Sequence, residues 1–113
     1  MTLSEMLGST RRALDKDADA TLIRQYINDA MMDLAHDLRP TRTDCIRMNR
    51  WKLTRVPVEI LRVARGRDTA AVTYVYVPRL LERGWDEPDL PAWCHGALVA
   101  WAVQRYRQSG VGA

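Results

Sequence analysis

The stretch from Asp89 to Gln108, Asp-Leu-Pro-Ala-Trp-Cys-His-Gly-Ala-Leu-Val-Ala-Trp-Ala-Val-Gln-Arg-Tyr-Arg-Gln, limits the possible folds more than any other part of the chain. Its ends carry helix signals. Asp89 suits an N-cap, Pro91 falls in a first turn where a missing N–H costs nothing, Gly110 supplies a stop, and Arg105 and Arg107 sit near the negative end. The spacing predicts one helix over about residues 90–108. At the helical period Leu90, Cys94, Ala97, Leu98 and Trp101 share one face, and Val99, Ala102, Val103 and Tyr106 share a second. Gly96 and Ala100 leave a third side small enough for close approach. A helix apolar nearly all round is satisfied only inside a bundle or against another subunit, and both are expected here. A membrane span is not expected, because the apolar run is shorter than the roughly 18 residues needed and His95 and Gly96 interrupt it.

Upstream, Thr2-Leu3-Ser4-Glu5 opens with a capping-box pattern, and Leu3, Met6, Leu7, Thr10 and Leu14 recur at helical spacing, predicting a first helix over about 3–14. Asp17 or Asp19 caps the next helix, about 21–38, whose stripe is Leu22, Ile23, Tyr26, Ile27, Ala30, Met31, Leu34 and Leu38. Arg39-Pro40 ends it. The aspartates and His36 on its wet side form a solvated face rather than an acid/base site, since nothing places a partner opposite them. From about 44 to 77 β-branched and aromatic residues replace the helical period, predicting two or three short strands. Pro57 demotes or bends the central strand, so Val56 to Leu61 reads as a turn, and Arg65-Gly66-Arg67-Asp68 forms an exposed hairpin tip. Trp85, in the irregular run before the last helix, is a lid on the core or, if exposed, an interface anchor. Residues 109–113 form a flexible tail.

At 113 residues the expectation is a single domain, mainly α with a small β-hairpin or extended segment (α+β), built as a short bundle of about three main helices. Tyr26, Ile27, Leu34, Leu98 and Trp101 are expected in its core. Val99, Val103, Tyr106, Arg107 and Trp85 are expected to meet a neighbouring subunit or partner, and Arg65 and Arg67 to face a partner or channel. The net charge is +3, and the basic side is almost all arginine, Lys16 and Lys52 being the only lysines. That bias suits bidentate contacts and crowded interfaces as well as it suits phosphate. No signal peptide is visible at the amino end, so an intracellular setting is expected. Cys45 and Cys94 have no pair spacing, and adjacent Cys94 and His95 point about 100 degrees apart on a helix, so neither a disulfide nor a zinc site is expected.

The chain has no nucleophile elbow, phosphate-binding glycine loop, HExxH motif or paired-carboxylate site, so no enzyme and no cofactor are expected. The order of elements is more informative. Tyr26-Ile27-Asn28-Asp29-Ala30 opens the core of a second helix, Val56-Pro57-Val58-Glu59-Ile60-Leu61 lies in the β segment, and Leu90-Pro91-Ala92-Trp93-Cys94-His95-Gly96-Ala97-Leu98-Val99-Ala100-Trp101-Ala102 opens the last helix. In these motifs the chain resembles the head-to-tail adaptor (connector) proteins of tailed bacteriophages over nearly its whole length. The resemblance implies a structural virion protein of the particle neck, made in the host cytoplasm. In such necks a ring, commonly of twelve copies, lies beneath the portal protein, joins it to a downstream tail or stopper protein, and encloses the channel for genome ejection. It implies self-association and non-specific proximity to double-stranded DNA, with no membrane and no cofactor. Many such adaptors carry a longer C-terminal segment that engages the portal, whereas here only Arg107 to Ala113 remains. The alternative is a small basic DNA-binding regulator, suggested by the sequence pI of about 9.2.

Overall fold

The computed structural model describes residues 1–109 and places α1 (Leu3–Ala13), α2 (Ala20–Leu38), β1 (Thr41–Arg47), β2 (Val56–Arg65), β3 (Thr69–Val77), a 3-10 turn (Ala92–Cys94) and α3 (His95–Gln108) in that order. Gly110 and all but the first residue of the expected tail lie outside the described residues. The strands form one antiparallel sheet in the order β1-β3-β2. The expected mainly α weighting, a short bundle with a minor hairpin, is therefore overturned: with 43% of the residues in helix and 25% in a three-stranded sheet, this is a mixed α+β domain. The error lies at Pro57. As a breaker it argued for a turn, but β2 is an edge strand, which needs ladder hydrogen bonds on one side only and so tolerates proline. The register shifts twice along β2, leaving Val58 and Leu61 without a partner opposite them on β3. Such bulges twist an edge and turn side chains outward.

Helices and strands form two lobes, each with its own core. The helical core gathers Leu3 and Met6 from α1, Ile23, Ile27 and Met31 from α2, and Leu98, Ala102 and Tyr106 from α3. Thr2 and Glu5 close the capping box reciprocally, and Asp19 accepts from the Thr21 and Leu22 amides at 2.9 and 3.3 Å. Arg39 ends α2 in the left-handed region at φ 50°. The first free amides of α1 are satisfied by the 84–86 loop, Leu3 donating to the Asp86 carbonyl at 2.7 Å and Ser4 to that of Gly84 at 2.8 Å. A Cβ at Gly84 would lie 2.4 Å from the Ser4 hydroxyl, so a larger residue there would have to turn that side chain aside. Asn28 of α2 clamps the linker between β3 and α3: its amide donates to the Leu81 carbonyl at 3.0 Å and its oxygen accepts from the Leu81 amide at 2.8 Å.

The sheet core is smaller, with Ile46, Ala70, Val72 and Tyr74 covered by Leu53 from the crossover between β1 and β2. Buried Asp44 organises it. Its carboxylate accepts from the Tyr74 hydroxyl at 2.6 Å, from the Thr54 amide and hydroxyl at 2.8 Å each, and from Arg42 Nε at 2.9 Å. Next along the crossover, Arg55 grips Asp89 with both arms of its guanidinium, and the Tyr76 hydroxyl donates to the Asp89 carbonyl at 2.6 Å. Asp89 thus serves as the sheet's anchor rather than a helix cap, and α3 begins without a side-chain cap, through the 3-10 turn.

Burial alone raises the Asp44 pKa, but the Tyr74, Thr54 and Arg42 donors outweigh it and hold the carboxyl well below the usual carboxylate range. A carboxyl depressed in the folded state contributes stability above its unfolded pKa and loses it as pH falls. Urea unfolding should therefore show stability declining below about pH 4, and Asp44→Ala should cost about 2–3 kcal/mol at pH 7 and flatten that acid limb. An unchanged acid limb in the variant would show that Asp44 does not carry it.

Candidate functional site

The two lobes lie side by side, not stacked, since no helix is packed across the sheet. The molecule spans 60 × 24 × 19 Å with a radius of gyration of 17.2 Å, against about 13 Å for a compact domain of this length. Much apolar surface is left uncovered as a result. All ten residues of β2 are exposed, including Val56, Val58, Ile60, Leu61 and Val63. The edge carries Pro57, Glu59, Arg62, Arg65 and two bulges, which keep it from pairing through its backbone, so its exposed aliphatic side chains rather than its ladder are the surface open to contact.

The second uncovered surface lies on α3. α1 and α2 both pack against it, and between them they bury Leu98, Ala102 and Tyr106 and half-bury Val99 and Val103. The Tyr106 hydroxyl accepts from the Asp19 amide at 3.1 Å, its ring meets Tyr26 edge-on at 6.5 Å, and Arg107 donates to the Ala13 carbonyl at 3.1 Å. Tyr106 is thus buried in the chain's own fold, and Arg107, still exposed, ties the end of α3 to the end of α1. Trp101, expected in the core, is 48% exposed and Trp93 is 72% exposed. With Ala97 between them they form an open stripe at i, i+4, i+8, flanked by exposed Gly96 and Ala100. The open face of the helix is the tryptophan side, and the valine and tyrosine side is the one its own fold covers. Of the remaining expected core residues, Tyr26, Ile27 and Leu98 are buried, and Leu34 is half-buried at the core's edge. Trp85 is 70% exposed beneath the Arg83 guanidinium, 5.6 Å from the ring centroid.

Two shallow grooves border these surfaces. One of about 410 Å³ separates the end of α2 from the sheet, between Met32, Ala35 and Arg39 on one side and Val58, Tyr76 and Pro78 on the other. The second, about 170 Å³, runs between α2 and α3 beneath Trp101. Arg65 and Arg67 stand exposed at the hairpin tip, and their side chains make no ion pair or hydrogen bond among the described residues. His36 lies at the rim of the larger groove, with Asp37 3.6 Å away and both side chains in solvent. His95 is buried and held by the Leu90 carbonyl at 3.3 Å, and burial pushes the Cys94 thiol up. Among the described residues no three His, Cys, Asp or Glu side chains converge to hold a metal ion, and no helix is long and apolar enough to cross a membrane.

The surfaces that sequence reasoning missed are Trp93 and the whole outer side of β2. For Trp93 the signal was present, four residues before Ala97 and eight before Trp101. Comparison with protein-family models, with curated proteins and with solved structures gave no match to this chain. The revised phase of α3 makes a quantitative difference. Trp101→Ala should cost about 1 kcal/mol of folding stability, while Leu98→Ala should cost about 2–5. Urea titration of the two variants checks this, and a larger loss for Trp101 would contradict the assigned packing.

Proposed function

We propose that this chain is a structural subunit of a bacteriophage neck, a head-to-tail adaptor whose copies form a ring between portal and tail around the DNA exit channel. The observation that carries the reading is the uncovered apolar surface at two separate places on an elongated protomer, the β2 edge and the Trp93–Ala97–Trp101 stripe. Two distinct patches suit head-to-tail contacts between neighbours, which close into a ring when the rotation between copies permits. Contacts that are weak singly then add around the circle.

The motifs that resemble the adaptor family have physical roles consistent with this use. Asn28 of the Tyr26–Ala30 motif ties the linker to α2, and the tryptophans of the Leu90–Ala102 motif are exposed. Exposed Trp85 and Leu80, between β3 and α3, offer a further apolar surface for portal attachment. A basic DNA-binding regulator remains the second reading, favoured by the unpaired Arg65 and Arg67 at the hairpin tip. It calls for sequence-specific binding, whereas a channel wall needs only weak, salt-sensitive attraction.

Light-scattering mass measurement of the full chain, alone and mixed with purified portal rings, tests the proposal. The adaptor reading expects several copies to load onto each portal ring even if the free chain is monomeric. A strict monomer that also ignores the portal, or one that binds a particular DNA sequence with nanomolar affinity, would overturn it.

A further inference from the structure

We infer that the hairpin arm of one copy seats in the α2–α3 groove of the next, so that the ring contact joins the sheet lobe of each protomer to the helical lobe of its neighbour. The inference rests on the self-assembly reading above and names the two surfaces that meet. On the arm, Ile60, Val63 and Arg65 pair with Tyr74, Val72 and Ala70 of β3 and so share one face of the sheet, with Arg67 beyond them in the turn. Both aliphatic side chains are exposed, and neither guanidinium has a partner among the described residues. The face is apolar toward its base and basic toward its tip.

The groove has the opposite character. Its floor is Leu34, Ala97 and Leu98, Trp101 forms one wall, and Asp33 and Asp37 stand one turn apart along the other. Both carboxylates are exposed, and among the described residues neither pairs with a lysine or arginine, the imidazole of solvent-facing His36 lying 3.6 Å from Asp37. At about 170 Å³ the groove lies below the roughly 300–1,000 Å³ of small-molecule pockets, and it accommodates aliphatic side chains. The absence of side chains beyond Cβ at Gly96, Ala97 and Ala100 lets a foreign backbone approach α3 closely, and a Cβ built on Gly96 meets nothing within 4 Å. Apolar surface faces apolar surface, and two unpaired arginines face two aspartates. Complementary charge of this kind sets register and orientation more than affinity. Nucleic acid would use the arginines but would leave Ile60 and Val63 in water, so a second copy of this chain is the better occupant. Arm and groove lie on different lobes, so the contact is heterologous and propagates from copy to copy.

Charge reversal on the full-length chain tests it. Sedimentation velocity from micromolar to millimolar concentration should show self-association of the unaltered protein that weakens with added salt. Reversing the arm (Arg65→Glu with Arg67→Glu) or the groove (Asp33→Arg with Asp37→Arg) should each weaken association at least about tenfold, and the chain carrying all four should recover to within about threefold. Far-ultraviolet circular dichroism and urea midpoints should stay unchanged, since all four side chains are exposed. Strict monomers at millimolar concentration, reversals without effect, or a four-site variant that stays as weak as either pair alone would overturn the inference. So would arm reversals that abolish DNA retention while leaving association intact. Portal loading that ignores the reversals overturns this contact and spares the adaptor reading. Reversal-sensitive association without portal loading does the opposite.

Discussion

Asp44 stands where the sheet, the crossover behind it and, through the neighbouring Arg55 and Asp89, the start of the last helix are tied together. Four donors converge on its carboxylate, and Arg55 carries the link onward to Asp89, which also receives the Tyr76 hydroxyl on its carbonyl. Little apolar contact crosses between the lobes, so this polar joint does the work that a shared core does in a stacked α+β domain. Hydrogen bonds to charged groups in a partly buried site are stronger than neutral ones, and each partner left unsatisfied costs free energy. The joint therefore fixes the angle at which the sheet leaves the helices, and with it the direction of the hairpin arm.

The same arrangement explains why so much apolar surface is open. A helix covering the sheet would bury β2, and a fourth helix would bury the tryptophan stripe; the described residues supply neither. Its helical core is complete, as the buried Met6, Ile27, Met31 and Leu98 indicate, and its sheet core is held by Tyr74 and Val72. What stays exposed is additional to folding. A formed core with two separate apolar patches left open is what the proposed ring subunit calls for.

The sequence made the first two helices legible because each carries a single stripe and a capping residue, Thr2 for α1 and Asp19 for α2. It could not fix the phase of α3. With apolar residues on every side, periodicity says that the helix must be covered but not which side its own fold will cover. That was decided by contacts distant in sequence, the Asp19 amide meeting the Tyr106 hydroxyl and Arg107 meeting the end of α1, which drew the tyrosine side inward and left Trp101 outside. β2 was hidden for a different reason. Pro57 is a breaker in a central strand and acceptable at an edge, and strand order is a property of the sheet, not of local sequence. Asp44 left a faint trace as a lone acid two residues before Ile46 in a β-branched run, on the face that turned out to be inward.

The central claim is that the open arm and the open stripe exist to be covered by neighbouring copies. Hydroxyl-radical footprinting of the full chain, free in solution and assembled on portal rings, reads this directly at single side chains. The account predicts that Trp93 in the 3-10 turn, Trp101 on α3 and Ile60 and Val63 on β2 are all reactive in the free protein and lose reactivity together on assembly. Tryptophans and arm residues that stay as reactive in the ring as in the free chain would contradict it.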